Sequence, residues 1–340
     1  MDSSFVRVPY PEMLECFSAI LRHAGFESSK ADECASIFAT NSLEGIYTHG
    51  VNRFPRFVAY ARAGHIKVDA IATRKSSLGA IEQWDGNLGP GPLNALVATD
   101  RAVEIARQQG MGCVALANTN HWMRGGTYGW RAARQGCIFI GWSNTTANMP
   151  AWGAVEPKLG NNPMVIAVPY NNEAIVLDMA MSQYSFGALD YYIKKNQQLP
   201  IPGGYSEDGQ LTTDPAKIRD SQRILPIGYW KGAGLSLLLD IVVSLLSGGQ
   251  SVADISAQPA EKGLSQLFLV IDATRVADFP AINKSITAIL DDYHSSVPEG
   301  SSKILYPGER VLATREENLS NGIPVLRTLW EDIQKLASAR

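Results

Sequence analysis

Over the first seventy residues, apolar positions recur at helical spacing. Met13, Leu14, Phe17, Ile20 and Leu21 form one stripe between Pro11, which suits an early helix position, and Gly25. A second helix is expected from Ser28 or Ser29, with Asp32 and Glu33 in its first turn and Cys34, Ile37 and Phe38 turned inward. A third is expected after Gly45, capped by Thr48 and ending near Gly64. From about residue 73 the pattern changes. Short apolar runs (CVALAN, CIFIGWSN, MVIAVPY, AIVLDMA) alternate with longer helical ones, LNALVATDRAVEIARQQG and LSLLLDIVVSLLSGG. QLFLVIDA reads as a further buried strand, followed by a helix around 279–294. Such alternation predicts an α/β domain built on a largely buried sheet. After Arg310 helices return, suited to packing on the N-terminal ones. The expected organisation is therefore a helical domain from 1–72 with 305–340, and an α/β domain over 73–304. The stretch 198–226 holds Pro200, Pro202, Gly203, Gly204, Gly209 and Pro215, and is expected to be a loop excursion.

Composition narrows the class. A chain of 340 residues, 45% hydrophobic and 19% charged, has enough apolar surface for two or three lobes. A net charge of −3 without a lysine or arginine run argues against a nucleic-acid surface or a polybasic membrane anchor. Cys16, Cys34, Cys113 and Cys137 form no CxxC pair, which fits free thiols in a reducing compartment. The start, MDSSFVRVPYPEM, lacks the pattern of a secretion signal. The run Leu235 to Leu246 carries Asp240 and is about half the ~20 residues a membrane span needs. The expectation is a soluble cytoplasmic protein.

Of the five histidines, His23 and His294 fall near expected helix ends and His65 follows Gly64 in a loop, all unremarkable places. His49 and His121 keep different company. In YTHGVNRFPRF (47–57), His49 and Arg53 are four apart, which on a helix capped by Thr48 puts them on one face. Gly50 beside them removes a side chain and lets a ligand approach the backbone. The pair suits a carboxylate gripped by a guanidinium fork, with an imidazole near the neighbouring oxygen; a solvated helix start is the plainer alternative. A helix N-terminus lowers an imidazole's pKa, so a proton donor there needs an anion or acid beside it.

His121 lies in NTNHWMRGGTYGW, directly after CVALAN. Strand ends of α/β sheets are where ligands bind, and Asn118, Asn120, Arg124 and Gly125–Gly126 add polar groups and open backbone. A capping turn into a helix near Tyr128 accounts for the same residues without a ligand. LGNNP (159–163) reads as a tight turn into a buried strand. GYWKGAG (228–234) enters the apolar helix with N–H groups and Lys231 able to hold a phosphate, and YPGER (306–310) is a turn into a helix. There is no GxGxxG followed by an acid, which excludes an ordinary Rossmann fold, and no GxSxG, HExxH or Walker loop. Two rival readings stay open: a metal-dependent hydrolase on His49, His121 and a carboxylate such as Asp178, and a non-catalytic dinucleotide-binding module.

The blocks HGVNRFPRF, LGAIEQWD, NHWMRGGTYGW, LDMAMSQYSFG and ILPIGYWKGAGLS resemble the malate/L-lactate dehydrogenase family outside the Rossmann group. The likeness spans nearly the whole chain, to YPGER. It implies a family-specific α/β fold that binds NADH, with NADPH as the alternative, and a homodimer with sites near the subunit interface. It also implies reduction of a 2-keto acid by hydride transfer. His49 would be the proton donor and Arg53 would hold the carboxylate, with His121 and Asn120 lining the same pocket and no metal. The aromatic-rich blocks FPRF, NHWMRGG and GYWKG point to a sugar-derived 2-keto acid. Malate, lactate, sulfolactate, ureidoglycolate or a cyclic imino acid is the alternative. Cofactor contacts are implied at Val176, Leu177, Asp178, Met179, Ala180, Met181 and Ser182, at Trp230 and Lys231, and at Gly308, Glu309 and Arg310. Glu309 stands where the nearest branch carries a histidine, which leaves the choice between NADH and NADPH open.

Overall fold

The computed structural model describes residues 4–276, 278–301 and 303–338. Strand β1 (Phe5–Val8) leads into helices α1 (Tyr10–His23) and α2 (Ser28–Leu43), then a single 3-10 turn, Tyr47–His49, and α3 (Phe54–Arg62). Strands β2 (Thr73–Leu78) and β3 (Ile81–Asp85) precede α4 (Gly91–Gln109), β4 (Met111–Thr119), α5 (Gly126–Ala133) and β5 (Cys137–Ser143). A short pair, β6 (Ala147–Pro150) and β7 (Pro157–Gly160), is followed by β8 (Met164–Tyr170), β9 (Glu173–Met179) and α6 (Phe186–Lys194). Next come β10 (Gly204–Tyr205), β11 (Leu211–Thr212), α7 (Pro215–Ser221), α8 (Trp230–Ser247) and α9 (Val252–Ser256). The chain then forms β12 (Leu264–Asp272), α10 (Ala273–Val276), α11 (Phe279–His294), α12 (Glu309–Asn321), β13 (Ile323–Leu326) and α13 (Arg327–Ser338).

Seven strands make the central sheet in the order β2-β3-β4-β12-β5-β8-β9. Only β3 and β4 run parallel; the other neighbours are antiparallel. This is not a doubly wound parallel sheet. Both faces of its centre are covered, which is why its strands read as unbroken apolar runs rather than alternating ones. Val114, Leu116, Phe268 and Val270 join the core shared with α1, α2, α4 and α5. Cys113, Ala115 and Leu267 join a second core, beneath α8. Phe268 lies edge-on to Trp122, Tyr128 and Phe139, fixing the floor on which α5 sits. The ends of the chain meet where β1 pairs with β13, a contact that no periodicity predicts.

Three expectations are corrected. The third helix does not run from Thr48 to Gly64. It breaks into the 3-10 turn and α3, whose cap residue is Arg53. A continuous helix would put Pro55 in its interior, without an N–H and with its ring against the carbonyl of Val51. The side chain that caps α2 is that of Glu27, which accepts from Ser29 N–H at 3.1 Å, so Asp32 and Glu33 fall beyond the first turn. The stretch 198–226 is a small folded lobe: the β10–β11 hairpin and α7, seated on α6 with Leu199, Ile218 and Ile224 fully enclosed.

Candidate active site

The 3-10 turn is held against α2 through its backbone. Asn41 Nδ2 donates to the His49 carbonyl (3.0 Å), and Ser42 Oγ accepts from Val51 N–H (2.8 Å). A Cβ on Gly50 would stand 2.2 Å from Ser42 Oγ and 3.0 Å from the Phe38 carbonyl. Gly50 is therefore small to admit the end of α2, and not to expose backbone to a ligand. The Gly125–Gly126 pair is likewise closed: Cβ atoms there would meet Val165 and Trp122 at Gly125, and the Asp178 carboxylate at Gly126. Facing the turn, the loop after β4 brings in His121, braced by the start of α4. A Cβ on Gly91 would fall 2.3 Å from the carbonyl oxygens of both Asn120 and His121.

The two imidazoles meet, with ring centroids 5.7 Å apart and planes at 19°. His121 Nδ1 accepts from Met123 N–H (3.0 Å), which leaves the proton of the neutral ring on Nε2. His49 Nδ1 lies 3.3 Å from Thr48 Oγ1. Desolvation, and then the proximity of His121, Arg53 and Arg124, push the His49 pKa down to about 3, while Glu261 pulls it upward. Burial, with Arg53 and Arg56, holds His121 well below its ordinary range. Both rings are therefore neutral at neutral pH.

Arg53 is on α3's cap and not on a shared helix face with His49, yet it shares a small cavity with His121, Asn120 and Glu261. The cavity, ≈ 20 Å³, has room for about one water. Its guanidinium stands 3.5 Å from the Glu261 carboxylate, the two side chains being 27% and 14% exposed. Asn120 spends its Nδ2 on the carbonyls of His65, Leu88 and Gly89, which leaves only Oδ1 free; that atom is buried and has no partner. Arg124 is buried against Glu44, which also takes Arg315, so it is not free to hold a ligand. Asn118 turns away, donating to Asp85 at 3.0 Å.

The three segments with implied cofactor contacts adjoin one another. Val176 N–H donates to the Pro307 carbonyl (3.0 Å), setting Gly308 beside β9. Ile227 N–H donates to the Met181 carbonyl (2.9 Å), and Ser182 bridges to Pro226, one turn before Trp230 and Lys231. Asp178 Oδ2 accepts from Gly126 N–H (2.7 Å) at the start of α5. Val176 and Met181 are buried, Leu177 is exposed, and Met179 and Ala180 are half-buried. The Ser182 hydroxyl is buried without a partner, and the Trp230 indole is 64% exposed. Among the described residues Lys231 and Arg310 form no ion pair. An orphaned hydroxyl, an uncovered aromatic face and two free cations fit a dinucleotide. Glu309 is engaged locally, with its carboxylate on His294 Nε2 (3.1 Å) and Tyr306 N–H (2.9 Å). His65 is edge-on to Tyr60.

Three contributors escaped the sequence reading. Arg56 and Tyr60 repeat at helical spacing behind Arg53 and could have been found from that spacing. Glu261 arrives from the loop before β12, and no local signal marks it.

This arrangement belongs to a known class. The malate/L-lactate dehydrogenase family profile matches residues 8–334, and the chain is a member of that family, an oxidoreductase of hydroxy and keto acids that works with a nicotinamide cofactor. Over 333 residues it is 42% identical to 2,3-diketo-L-gulonate reductase of Escherichia coli (strain K12), covering 97% of this chain and 100% of that protein. Sulfolactate dehydrogenase from Methanocaldococcus jannaschii superposes with a TM-score of 0.90 at 27% identity, over 98% of this chain and 97% of that one. Malate dehydrogenase from Pyrococcus horikoshii OT3 also gives a TM-score of 0.90, at 25% identity, over 99% and 96%.

Proposed function

We propose that this protein is an NADH-dependent reductase of a sugar-derived 2-keto acid, 2,3-diketo-L-gulonate, yielding 3-dehydro-L-gulonate. The observation that carries the reading is the facing pair His49–His121, of which His121 shares a cavity with Arg53 while His49 stands behind it. The 42% identity to 2,3-diketo-L-gulonate reductase supports the choice of substrate. Val176 to Ser182, Trp230, Lys231, Gly308, Glu309 and Arg310 hold the cofactor, which when bound supplies the hydride. The choice of NADH over NADPH is supported by Glu309, whose carboxylate, held by His294 Nε2 and Tyr306 N–H, is not a group that binds a phosphate.

Arg53 exchanges Glu261 for the substrate carboxylate and so fixes the ketone near the rings; a misplacement of ~1 Å there costs about 100-fold in rate. As charge grows on the ketone oxygen, His49 gives it a proton. Burial and the neighbouring cations keep His49 neutral, so protonation accompanies binding: an anion beside Arg53 cancels the repulsion that helps depress its pKa. In the opposite direction the neutral ring is already a base. His121, with Nε2 as donor, steadies the same oxygen.

We further propose a cytoplasmic homodimer. Helix α8 is long and apolar enough to cross a membrane, yet Ala233, Leu239 and Val243 are buried in the second core. Its outer face shows Leu237, Leu238, Ile241 and Leu245, an apolar strip of the kind a second copy covers. The decisive test follows NADH absorbance with 2,3-diketo-L-gulonate and a panel of malate-, lactate-, sulfolactate- and ureidoglycolate-derived keto acids and a cyclic imino acid. Turnover of panel members without diketogulonate refutes the substrate and keeps the class. Inactivity with all of them refutes the reading.

A further inference from the structure

We propose that Arg56 and Tyr60, together with the buried Oδ1 of Asn120, form a subsite that reads the hydroxylated tail of the substrate and so separates sugar-derived keto acids from short ones. The inference rests on the function proposed above.

Arg53, Arg56 and Tyr60 follow one another at i, i+3 and i+7, and all three line the cavity that holds His121, Asn120 and Glu261. Arg56 lies about 4.5 Å and Tyr60 about 10 Å beyond Arg53 along the helix axis. The closed cavity holds about one water, so substrate entry requires Glu261 to leave Arg53 and open it. With a carboxylate on Arg53, a three-carbon acid then ends before it reaches Arg56 and Tyr60, whereas a six-carbon acid runs alongside.

The chemistry of this wall is that of a polyol site. Arg56 Nη2 donates to the Tyr60 hydroxyl (2.9 Å), with its guanidinium 5.1 Å from the ring centroid. That bond uses the phenol oxygen as acceptor and leaves its hydrogen free to donate. Arg56 forms no ion pair among the described residues, so its remaining N–H groups are also free. His65 packs edge-on to Tyr60 with centroids 5.3 Å apart, which holds the ring in place. On the acceptor side, three carbonyls on Nδ2 lock the Asn120 amide, which cannot flip without losing them all. Its Oδ1 stays a fixed, unpartnered acceptor on a residue only 2% exposed. Glu261, once displaced from Arg53, offers a second acceptor. Each hydroxyl of a sugar acid both donates and accepts, and donors and acceptors share this wall. A tail-less acid leaves these groups unpaired, the circumstance in which a polar site discriminates strongly.

The test compares full-length wild type with Tyr60→Phe, Arg56→Met and Arg56→Lys, using 2,3-diketo-L-gulonate and pyruvate. Pyruvate is scored as substrate or, if it is not reduced, as a competitive inhibitor. The ratio of kcat/KM for diketogulonate to that for pyruvate (or to the reciprocal of its inhibition constant) should fall about 10- to 100-fold in Tyr60→Phe and Arg56→Met. The loss should appear mainly in KM, with partial recovery in Arg56→Lys. An unchanged ratio, whether both acids weaken together or neither does, overturns the subsite and leaves the reductase reading standing. Should Arg56→Met fail to fold, Tyr60→Phe alone decides. If wild type reduces no keto acid at all, the underlying function and the subsite fall together.

Discussion

Lowering the pH from 7 to 5 should weaken the fold through the two facing histidines. Both are bases with folded pKa values below the ordinary one of about 6.5, so on acidification the unfolded chain takes up protons that the folded protein refuses. Stability is then lost as pH falls below about 6.5, and the loss continues down to the folded value, about 3 for His49. Working the linkage between those two values for His49 gives a cost of about 0.2 kcal/mol at pH 7 and about 2 kcal/mol at pH 5. His121 is depressed as well and acts in the same direction, so the loss at pH 5 is at least that of His49 alone. Against a total of roughly 5–15 kcal/mol for a typical protein, that is a large fraction. Urea unfolding of wild type and His49→Gln at pH 7, 6 and 5 measures it. The variant should lose about 2 kcal/mol less across the range, with unchanged m. Equal pH slopes in the two proteins would refute the claim that this ring is held neutral by its surroundings. Bound keto acid should flatten the wild-type slope, because an anion on Arg53 favours the charged ring.

Four further outcomes can be checked. Turnover should vanish in His49→Gln while NADH affinity, read from fluorescence titration, stays within about twofold, since a proton donor contributes to the transition state and little to cofactor binding. Gly91→Ala drives a methyl into the carbonyls behind His121, and steady-state assays should show kcat down by about 100-fold. Glu82, 3% exposed, accepts from Arg101, Arg74 and Trp84 and is held down to about 2, chiefly by Arg101; its stabilisation is present above about pH 4.5 and is lost on acidification toward 2. Because Arg74 and Arg101 are partly solvated and Arg101 keeps Glu104, Glu82→Gln should cost about 1–3 kcal/mol in urea unfolding at pH 7. Finally, Leu238→Glu and Leu245→Glu on the outer face of α8 should give monomers by light scattering; a wild-type monomer at micromolar concentration defeats the dimer proposal.

Much of the architecture can be read from the chain because the central strands are buried on both sides. CVALAN, CIFIGWSN, MVIAVPY and QLFLVIDA announce themselves as continuous apolar runs, and α1, α4 and α8 by their length and spacing. The edge strand Thr73–Leu78 is exposed throughout, so TRKSSL carries no such mark. The break before α3 was foreshadowed by Pro55, and the spacing of His49 and Arg53 suggested a helix face that the proline forbids. Arg53 still acts electrostatically on His49, but it lines its cavity with His121 and not with His49; the 3-10 turn is pinned to the end of α2 and leads directly into the α3 cap. Partners contributed from far along the chain, Glu261 to Arg53 and Glu44 to Arg124 and Arg315, depend on tertiary closure and leave no trace in local pattern.

The strand that occupies the middle of the sheet is the last of its seven to be made. β12 lies between β4 and β5, yet Leu264–Asp272 leaves the ribosome more than a hundred residues after either. Until then the nascent chain holds two half-sheets, each with a bare inner edge of unpaired amides and carbonyls, the kind of surface that recruits stray strands. Synthesis, more than the finished enzyme, is where this topology is vulnerable, and a transcript cut short before Leu264 should yield insoluble protein rather than a smaller working one.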